Sequence, residues 1–306
     1  MKYRTGAISW QHEILSKEPI KGKFFYLNFE PPLDKKLNEN NLELIIETSN
    51  ELNAQKAYEL VIASLTLING HTIYEINNLP TVKPYESFTE KFSPEWFYGR
   101  EVKFTISGIF ESAKIAAKAS SRKVHSYSLL KYLLACSQHS NYLIHLDPFH
   151  TNYQKLPRNP SSHLRYSFAI LAFYSILEEL GLEIRASQKK PSKLKGEWNP
   201  IVQNDLEKRL IAANINLEKK ANWNLRSRPT KIQLNDKLIV TGKSSWSKYS
   251  IRDSEIEIID AISYSSWLRS RIIAHKLSDN FLSISIYDVA NVNFLIRRIL
   301  METLGF

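Results

Sequence analysis

Two arginines and a histidine lie close together in the segment WLRSRIIAH, residues 267–275. Arginine stays charged and can bind two phosphate oxygens at once, which suits it to hold a phosphate as negative charge builds up. Histidine titrates near neutral pH, so it can take or give a proton. Arg269, Arg271 and His275 are therefore residue types that suit chemistry at a phosphodiester.

The segment reads as part of a helix, and helical geometry fixes the direction of each side chain. Successive residues of an α-helix are about 100° apart, so His275 shares a face with Arg271. Arg269 lies about 120° further round, beside Ile262 and Ile273, with a side chain long enough to reach the same groove. Two interpretations stay open at this point. The residues form a site, or the arginines pair with acidic residues of a neighbouring helix while the histidine caps a turn.

An arginine followed by five residues and a histidine, RSRIIAH, in the penultimate predicted helix resembles the HEPN superfamily. The resemblance covers residues 109–306, and Ser270 follows the arginine where many family members have asparagine. It implies a helical bundle and, as in many members, a metal-independent ribonuclease that works as a homodimer with both motifs at the interface.

The resemblance also implies roles for the individual residues. His275 would be the general acid or base and Arg269 would bind the phosphate, whereas helical geometry favours Arg271. In RNA the ribose 2′-hydroxyl attacks the neighbouring phosphorus, so the substrate supplies its own nucleophile. We therefore expect RNA as substrate, a second copy of the chain as partner, and no cofactor or metal.

Two carboxylates of another predicted helix are candidates for orienting the arginine or the histidine of this segment. Glu178 and Glu179 lie in the strongly apolar stretch YSILEELGLEI, where a charged group usually has a partner. One of them would orient His275 or Arg269 across the bundle. The alternative is a pair of surface charges near a helix end.

Two basic segments are candidates for RNA binding because cations neutralise phosphates and an indole can stack on an unpaired base. The alternative is a pair of solvated loops with Trp223 packed inward. The first segment carries Arg185, Lys189, Lys190, Lys193 and Lys195. The second carries Lys219, Lys220, Trp223, Arg226, Arg228 and Lys231.

Other chemistries have weaker signals. His139, His145 and His150 lie near Asp147, but their spacing fits no tight metal-binding pattern. The pair Glu101 and Lys103 occurs in metal-dependent DNA nucleases, although no strand-borne aspartate precedes it here. The chain has no phosphate-binding loop, dinucleotide fingerprint or nucleophile elbow.

The composition is that of a globular protein with an excess of positive charge. The 306 residues carry a formal net charge of +10, which favours a phosphate-bearing partner or a generally lysine-rich surface. Cys136 is the single cysteine, which excludes an internal disulfide and fits a reducing compartment. No apolar run resembles a signal peptide or spans a bilayer, so we expect a cytoplasmic protein without a membrane partner.

The pattern of elements predicts a mainly α protein with two domains. Residues 1–108 are predicted as a smaller mixed α/β accessory domain, with a strand in GKFFYLNFEPP and one long or two joined helices ending at Gly70. Residues 109–306 are predicted as a HEPN-like helical bundle. Gly181 and Gly305 are predicted to end helices. Predicted capping boxes pair Ser254 with Glu257 and Ser285 with Asp288.

Three functions follow from these observations. The first is a HEPN-type ribonuclease, a toxin or anti-phage defence effector in which the N-terminal domain senses a trigger, binds a regulatory partner or mediates oligomerisation. The second is a non-catalytic HEPN-like module that binds a partner protein or nucleic acid. The third is a metal-dependent DNA nuclease in the N-terminal half.

Overall fold

The computed structural model describes residues 1–9, 18–30, 41–70, 81–85, 108–138, 160–224, 253–273 and 286–306. The chain divides into two compact units, residues 1–133 and 134–306. Helices make up most of the regular structure in the described residues, so the mainly α class is confirmed. None of the described helices is long and apolar enough to cross a membrane.

The first unit contains a five-stranded antiparallel sheet with strand order β2-β3-β4-β1-β5. The strands are β1 (Lys2–Ser9), β2 (Ile20–Lys21), β3 (Phe25–Glu30), β4 (Asn41–Thr48) and β5 (Lys83–Pro84). Leu27, Leu44 and Ile46 are fully buried, and helix α1 (Glu51–Asn69) packs against β1, β3 and β4. The predicted strand in GKFFYLNFEPP is confirmed as β3.

Strand β4 corrects the helix predicted to begin near residue 40. The spacing of Leu44 and Thr48 fits a helical face, but Leu44, Ile45 and Ile46 are all buried, as expected for a strand covered on both faces. The helix begins after Asn50, whose side chain accepts a hydrogen bond from the Asn53 backbone N–H at 2.9 Å. A strand, a capped turn and one helix therefore replace one long helix.

Arg4 of β1 lies in the interior of this unit. Its side chain is 2% exposed, and its Nη1 is 2.7 Å from Oε2 of Glu43 in β4. Nη2 is 3.4 Å from a carboxylate oxygen of Glu30, and the Tyr85 ring centroid lies 4.0 Å from the guanidinium carbon. A buried charge requires such partners, because transfer out of water costs several kcal/mol. The cluster joins β1, β3, β4 and the end of β5.

Helices α2 (Ile109–Ala119) and α3 (Lys123–Ser137) follow. Helix α2 packs against α1 and β2, and the first unit extends to residue 133. The sequence predicts a domain boundary at 108/109, whereas the two compact units divide at 133/134. The packing of α2 on α1 is a tertiary contact that the helical composition of α2 does not reveal. A close approach at Gly108, just before α2, fixes this packing: its φ is +87°, and a Cβ there would lie 2.9 Å from Cγ2 of Ile68.

The second unit contains four α-helices among its described residues: α4 (Pro160–Leu180), α5 (Pro200–Ala212), α6 (Ile258–Trp267) and α7 (Ile286–Leu304). A π-helical segment, Leu268–Ile273, continues α6. Helix α7 packs against α4 and α6, and α4 packs against α6 and the π-helical segment. Two short antiparallel ribbons complete the unit: β6 (Lys193–Leu194) with β7 (Glu197–Trp198), and β8 (Ala221–Asn224) with β9 (Asp253–Ile256).

Most predicted helix ends are confirmed, and one capping box is wrong. Gly181 and Gly305 have φ values of 69° and 74° and end α4 and α7 in the left-handed conformation. Ser254 lies in β9, opposite Trp223, and Glu257 is the N-cap of α6 without a side-chain hydrogen bond. Asp288 lies in the first turn of α7, as predicted, whereas Ser285 lies outside the described residues.

The close approach at Gly108 predicts that Gly108→Ala destabilises the protein more than Gly196→Ala. Both glycines have positive φ, which costs an alanine about 1–2 kcal/mol, but only Gly108 would also clash with a neighbour. Nothing lies within 4 Å of a Cβ built on Gly196. Urea unfolding of the two variants measures the difference, and an equal loss in both would contradict the close packing of α1 and α2.

Candidate functional site

The candidate site is built around Arg269, the second residue of the π-helical segment. The preceding Leu268 is buried, which anchors the segment in the core, while the Arg269 side chain is 44% exposed. Its Nη2 lies 3.1 Å from Oε1 of Glu178, near the end of α4. Of the two predicted supporting carboxylates, Glu178 contacts Arg269, and Glu179 lies beside it, half-buried.

Tyr174 forms the second contact of Arg269 with α4. It precedes Glu178 by four residues, so both side chains lie on the same face of the helix. The guanidinium carbon of Arg269 is 5.9 Å from the centroid of the Tyr174 ring, within cation–π range. Tyr174 and Glu178 therefore hold the guanidinium between an aromatic ring and a carboxylate, and we call these three residues the Arg269 bracket.

The phenol of Tyr174 is not a proton acceptor at neutral pH. Burial raises its pKa above the usual value of 10, and the nearby Glu178 carboxylate raises it further. A hydrogen bond with Ser266 and the positive charge of Arg269 lower it in part. The phenol consequently stays protonated, and Tyr174 serves as a neutral platform under Arg269.

The π-helical geometry changes the basis for choosing between the two arginines. The prediction that Arg271 shares a face with His275 assumes α-helical steps of about 100°. A π-helix has wider turns with i→i+5 hydrogen bonds, and such turns occur often at functional sites. The α-helical argument for Arg271 therefore does not apply over residues 268–273. The side chain of Arg271, and His275 altogether, lie outside the described residues.

Ser270, the residue after the arginine, is partly buried and turned toward its own helix. Its hydroxyl donates a hydrogen bond of 3.4 Å to the carbonyl oxygen of Trp267. A serine hydroxyl that bonds back to an earlier carbonyl competes with the regular helix pattern. Ser270 thus has a local backbone role in this structure.

The Arg269–Glu178 pair is weak because both side chains are exposed. Ion pairs of this kind contribute about 0–1 kcal/mol to stability. A phosphate group can therefore replace the carboxylate at little cost, and Glu178 is the only acidic partner of Arg269 among the residues that the structure describes. The pair fits both interpretations from the sequence. Arg269 is either positioned for a ligand, or it stabilises the contact between α4 and the π-helical segment through Glu178.

The second basic segment is only partly available to a ligand. Trp223 is 2% exposed, and its ring packs on Tyr264 with centroids 5.7 Å apart. The structure therefore places Trp223 in the core, which corrects the prediction that it stacks on a base. Lys219 and Lys220 are exposed, and Lys220 lies 3.7 Å from Glu257. Arg226, Arg228 and Lys231 lie outside the described residues.

The first basic segment is held to α6 by a hydrogen bond and a cation–π contact. The Trp198 indole N–H donates to Oδ1 of Asp260 at 2.8 Å, and the Lys193 ammonium lies 5.9 Å from the Tyr264 ring centroid. Arg185 pairs with Glu183 at 2.9 Å. Lys189 and Lys190 are exposed in the turn before the β6–β7 ribbon. This agrees with the alternative that the segment is a solvated loop.

The described residues contain no cluster of three or more metal-ligating side chains. His139, His145, Asp147 and His150 lie outside the described residues, as do Glu101 and Lys103. Cys136 is a buried thiol in α3. The metal-dependent alternatives therefore stay predictions without a structural counterpart.

Sequence reasoning missed Tyr174, although a signal for it was present. A tyrosine four residues before a candidate carboxylate, on a helix already predicted, necessarily lies on the same face. The π-helical segment has no comparable signal in the sequence. Compared with known protein families, curated proteins and solved structures, the chain matches none of them.

The two arginine–carboxylate pairs predict very different costs for removing one charge. Glu178→Gln should change the free energy of unfolding by about 1 kcal/mol or less, since the pair is exposed. Glu43→Gln should destabilise the protein by about 3 kcal/mol, because it leaves the buried Arg4 with only the more distant, partly exposed carboxylate of Glu30. Urea unfolding measures both, and a large loss with Glu178→Gln would mean that Arg269 is a structural residue.

Proposed function

We propose that this chain is a metal-independent endoribonuclease of the HEPN type that acts as a homodimer. Arg269 binds the scissile phosphate and His275 transfers the proton. The observation that carries the proposal is the Arg269 bracket. The arginine of the motif extends into solvent from a buried helix junction, and a neighbouring helix holds it through contacts weak enough for a phosphate to displace.

The proposed reaction needs no bound ion. The ribose 2′-oxygen forms a bond to phosphorus while the bond from phosphorus to the 5′-oxygen breaks. One imidazole takes the 2′-hydroxyl proton, and a second gives a proton to the departing 5′-oxygen. The guanidinium of Arg269 stabilises the negative charge that builds on the phosphate oxygens. Two copies of the motif in a dimer supply both imidazoles.

The resemblance to the HEPN superfamily supplies the biological setting of the proposal. In that setting the protein is a toxin or an anti-phage defence effector that acts on cytoplasmic RNA. In that role the first unit senses a trigger or binds a regulatory partner. The positive net charge of +10 suits an RNA substrate.

The second candidate is a HEPN-like module that binds a partner or nucleic acid without cleaving it. The Arg269–Glu178 pair favours it, because a carboxylate already occupies part of the guanidinium's donor set. In this case the Arg269 bracket stabilises the contact between α4 and the π-helical segment, and Arg269 takes no part in catalysis. Cleavage assays separate the two candidates.

The proposed function predicts that the purified protein cleaves RNA in the presence of EDTA. Arg269→Ala and His275→Ala should each lower the cleavage rate by about a hundredfold or more, since they remove charge stabilisation and proton transfer. Arg271→Ala should have a much smaller effect. Electrophoresis of an end-labelled RNA measures the rates.

Arg165→Ala is the matched control, because Arg165 is an exposed arginine of α4 outside the bracket. It should cleave like the unmodified protein. Undiminished cleavage in Arg269→Ala and His275→Ala would remove both residues from the reaction. Absence of cleavage together with tight binding of RNA or a partner would favour the second candidate. Cleavage that strictly requires a divalent metal and is lost in Glu101→Ala would favour the DNA nuclease chemistry.

A further inference from the structure

A long segment over α2 and α3 carries positive charge without any acidic residue. Between Glu111 and residue 138 the chain contains no aspartate or glutamate. The same stretch forms most of α2, the α2–α3 corner and α3, and the structure describes all of it. Its cations are Lys114, Lys118, Arg122, Lys123 and Lys131.

Side-chain hydrogen bonds fasten the corner between α2 and α3. The Ser126 hydroxyl donates to the carbonyl oxygen of Ala119 at 3.0 Å, and the Ser121 hydroxyl donates to that of Lys118 at 2.7 Å. The backbone N–H of Lys23, in the turn between β2 and β3, donates to the Ser120 hydroxyl at 2.8 Å. A further exposed lysine is thereby held at the same corner.

Two cations at this corner, Arg122 and Lys123, are open to solvent. Neither has an ion-pair partner among the described residues. The pKa of His125, in the first turn of α3, is lowered first by burial and then by the positive charges of Arg122 and Lys118. Glu111, the nearest acidic residue on α2, precedes Lys118 by about 10 Å along the helix axis.

An exposed aromatic ring lies next to these cations. Tyr127 is 55% exposed, and Lys131 places its ammonium 4.9 Å from the ring centroid. Lys123, Tyr127 and Lys131 are spaced four residues apart, so they follow one another along the solvent face of α3. Cations on both sides of an exposed ring form the pattern that binds a single strand: phosphates contact the cations and a base stacks on the ring.

We propose that the α2–α3 corner of the first unit is a binding site for single-stranded nucleic acid. Arg122 and Lys123 contact backbone phosphates, with Lys23 and Lys118 at the margin, and Tyr127 stacks on an unpaired base. This site is independent of the proposed cleavage chemistry, and it gives the first unit a role of its own in holding the strand.

A membrane surface is the less suitable partner for the same charges. An interfacial helix inserts a broad apolar face, whereas only Val124, Tyr127 and Leu134 are exposed large apolar residues on α3. Each of these three is between 40% and 55% exposed, so most of the apolar surface of α3 is already covered. The combination of exposed cations and an exposed ring therefore favours a phosphate chain with bases.

The test uses the full chain and a fluorescent single-stranded oligodeoxynucleotide. DNA lacks the 2′-hydroxyl, so the proposed ribonuclease cannot cut it, and the result does not depend on that activity. Fluorescence anisotropy gives the binding constant at several salt concentrations. The double variant Arg122→Gln/Lys123→Gln should reduce the slope of log K against log salt by about 1.4, since each single-strand phosphate contact contributes about 0.7.

Tyr127→Ser should weaken binding about tenfold and leave the salt slope unchanged, because it removes stacking and no charge. The charge-matched control is Lys56→Gln/Lys208→Gln, which removes two exposed lysines on α1 and α5. A slope change as large in the control as in the corner variant would overturn the proposal. Unchanged binding of the oligonucleotide in all variants would also overturn it. So would binding to phosphatidylserine vesicles that Arg122→Gln/Lys123→Gln weakens, together with no binding of the oligonucleotide.

Discussion

The central constraint in this structure is the transition from buried to exposed between Leu268 and Arg269. Leu268 is held in the core of the second unit, so the backbone at Arg269 cannot move far from the end of α4. The charged side chain must leave the core at this point, and Tyr174 and Glu178 determine its direction. The rest of the proposed site depends on that placement, because a guanidinium fixed on a packed helix junction needs little rearrangement to meet a phosphate.

A comparison of Arg4 with Arg269 shows how burial alone separates a structural arginine from an available one. Both contact a glutamate and a tyrosine ring. Arg4 is enclosed, with the carboxylates of Glu43 and Glu30 beside it and a tyrosine ring at 4.0 Å. The loss of the buried partner Glu43 would leave a buried charge that is poorly compensated. Arg269 has one carboxylate and a ring at 5.9 Å, and water reaches the remainder of its guanidinium. The same contacts therefore stabilise a sheet in one unit and leave a cation accessible in the other.

The sequence predicted the elements whose signals are local. The helices α4 and α7 are rich in apolar residues, the apolar residues of α5 recur at helical spacing, and end signals such as Pro200, Gly181 and Gly305 accompany them. Strand β4 was missed because Leu44 and Thr48 have a spacing that also fits a helix. The packing of α2 on α1, the pairing of β8 with β9 and the π-helical segment depend on tertiary contacts, which no local pattern contains. At the site, the contact between Glu178 and Arg269 was one of two predicted options, whereas the inward packing of Trp223 depends on Tyr264 from a later helix.

In the proposed reaction, RNA supplies its own nucleophile while Arg269 and His275 act on the phosphate. The most direct measurement is cleavage, in EDTA, of an oligoribonucleotide and of its counterpart with a single 2′-deoxy substitution at the mapped cleavage position. We expect the all-ribose strand to be cut to a 2′,3′-cyclic phosphate end and the substituted strand to stay uncut at that position. Cleavage of the 2′-deoxy strand at the same bond would contradict the proposed reaction, because the attacking oxygen would then come from elsewhere.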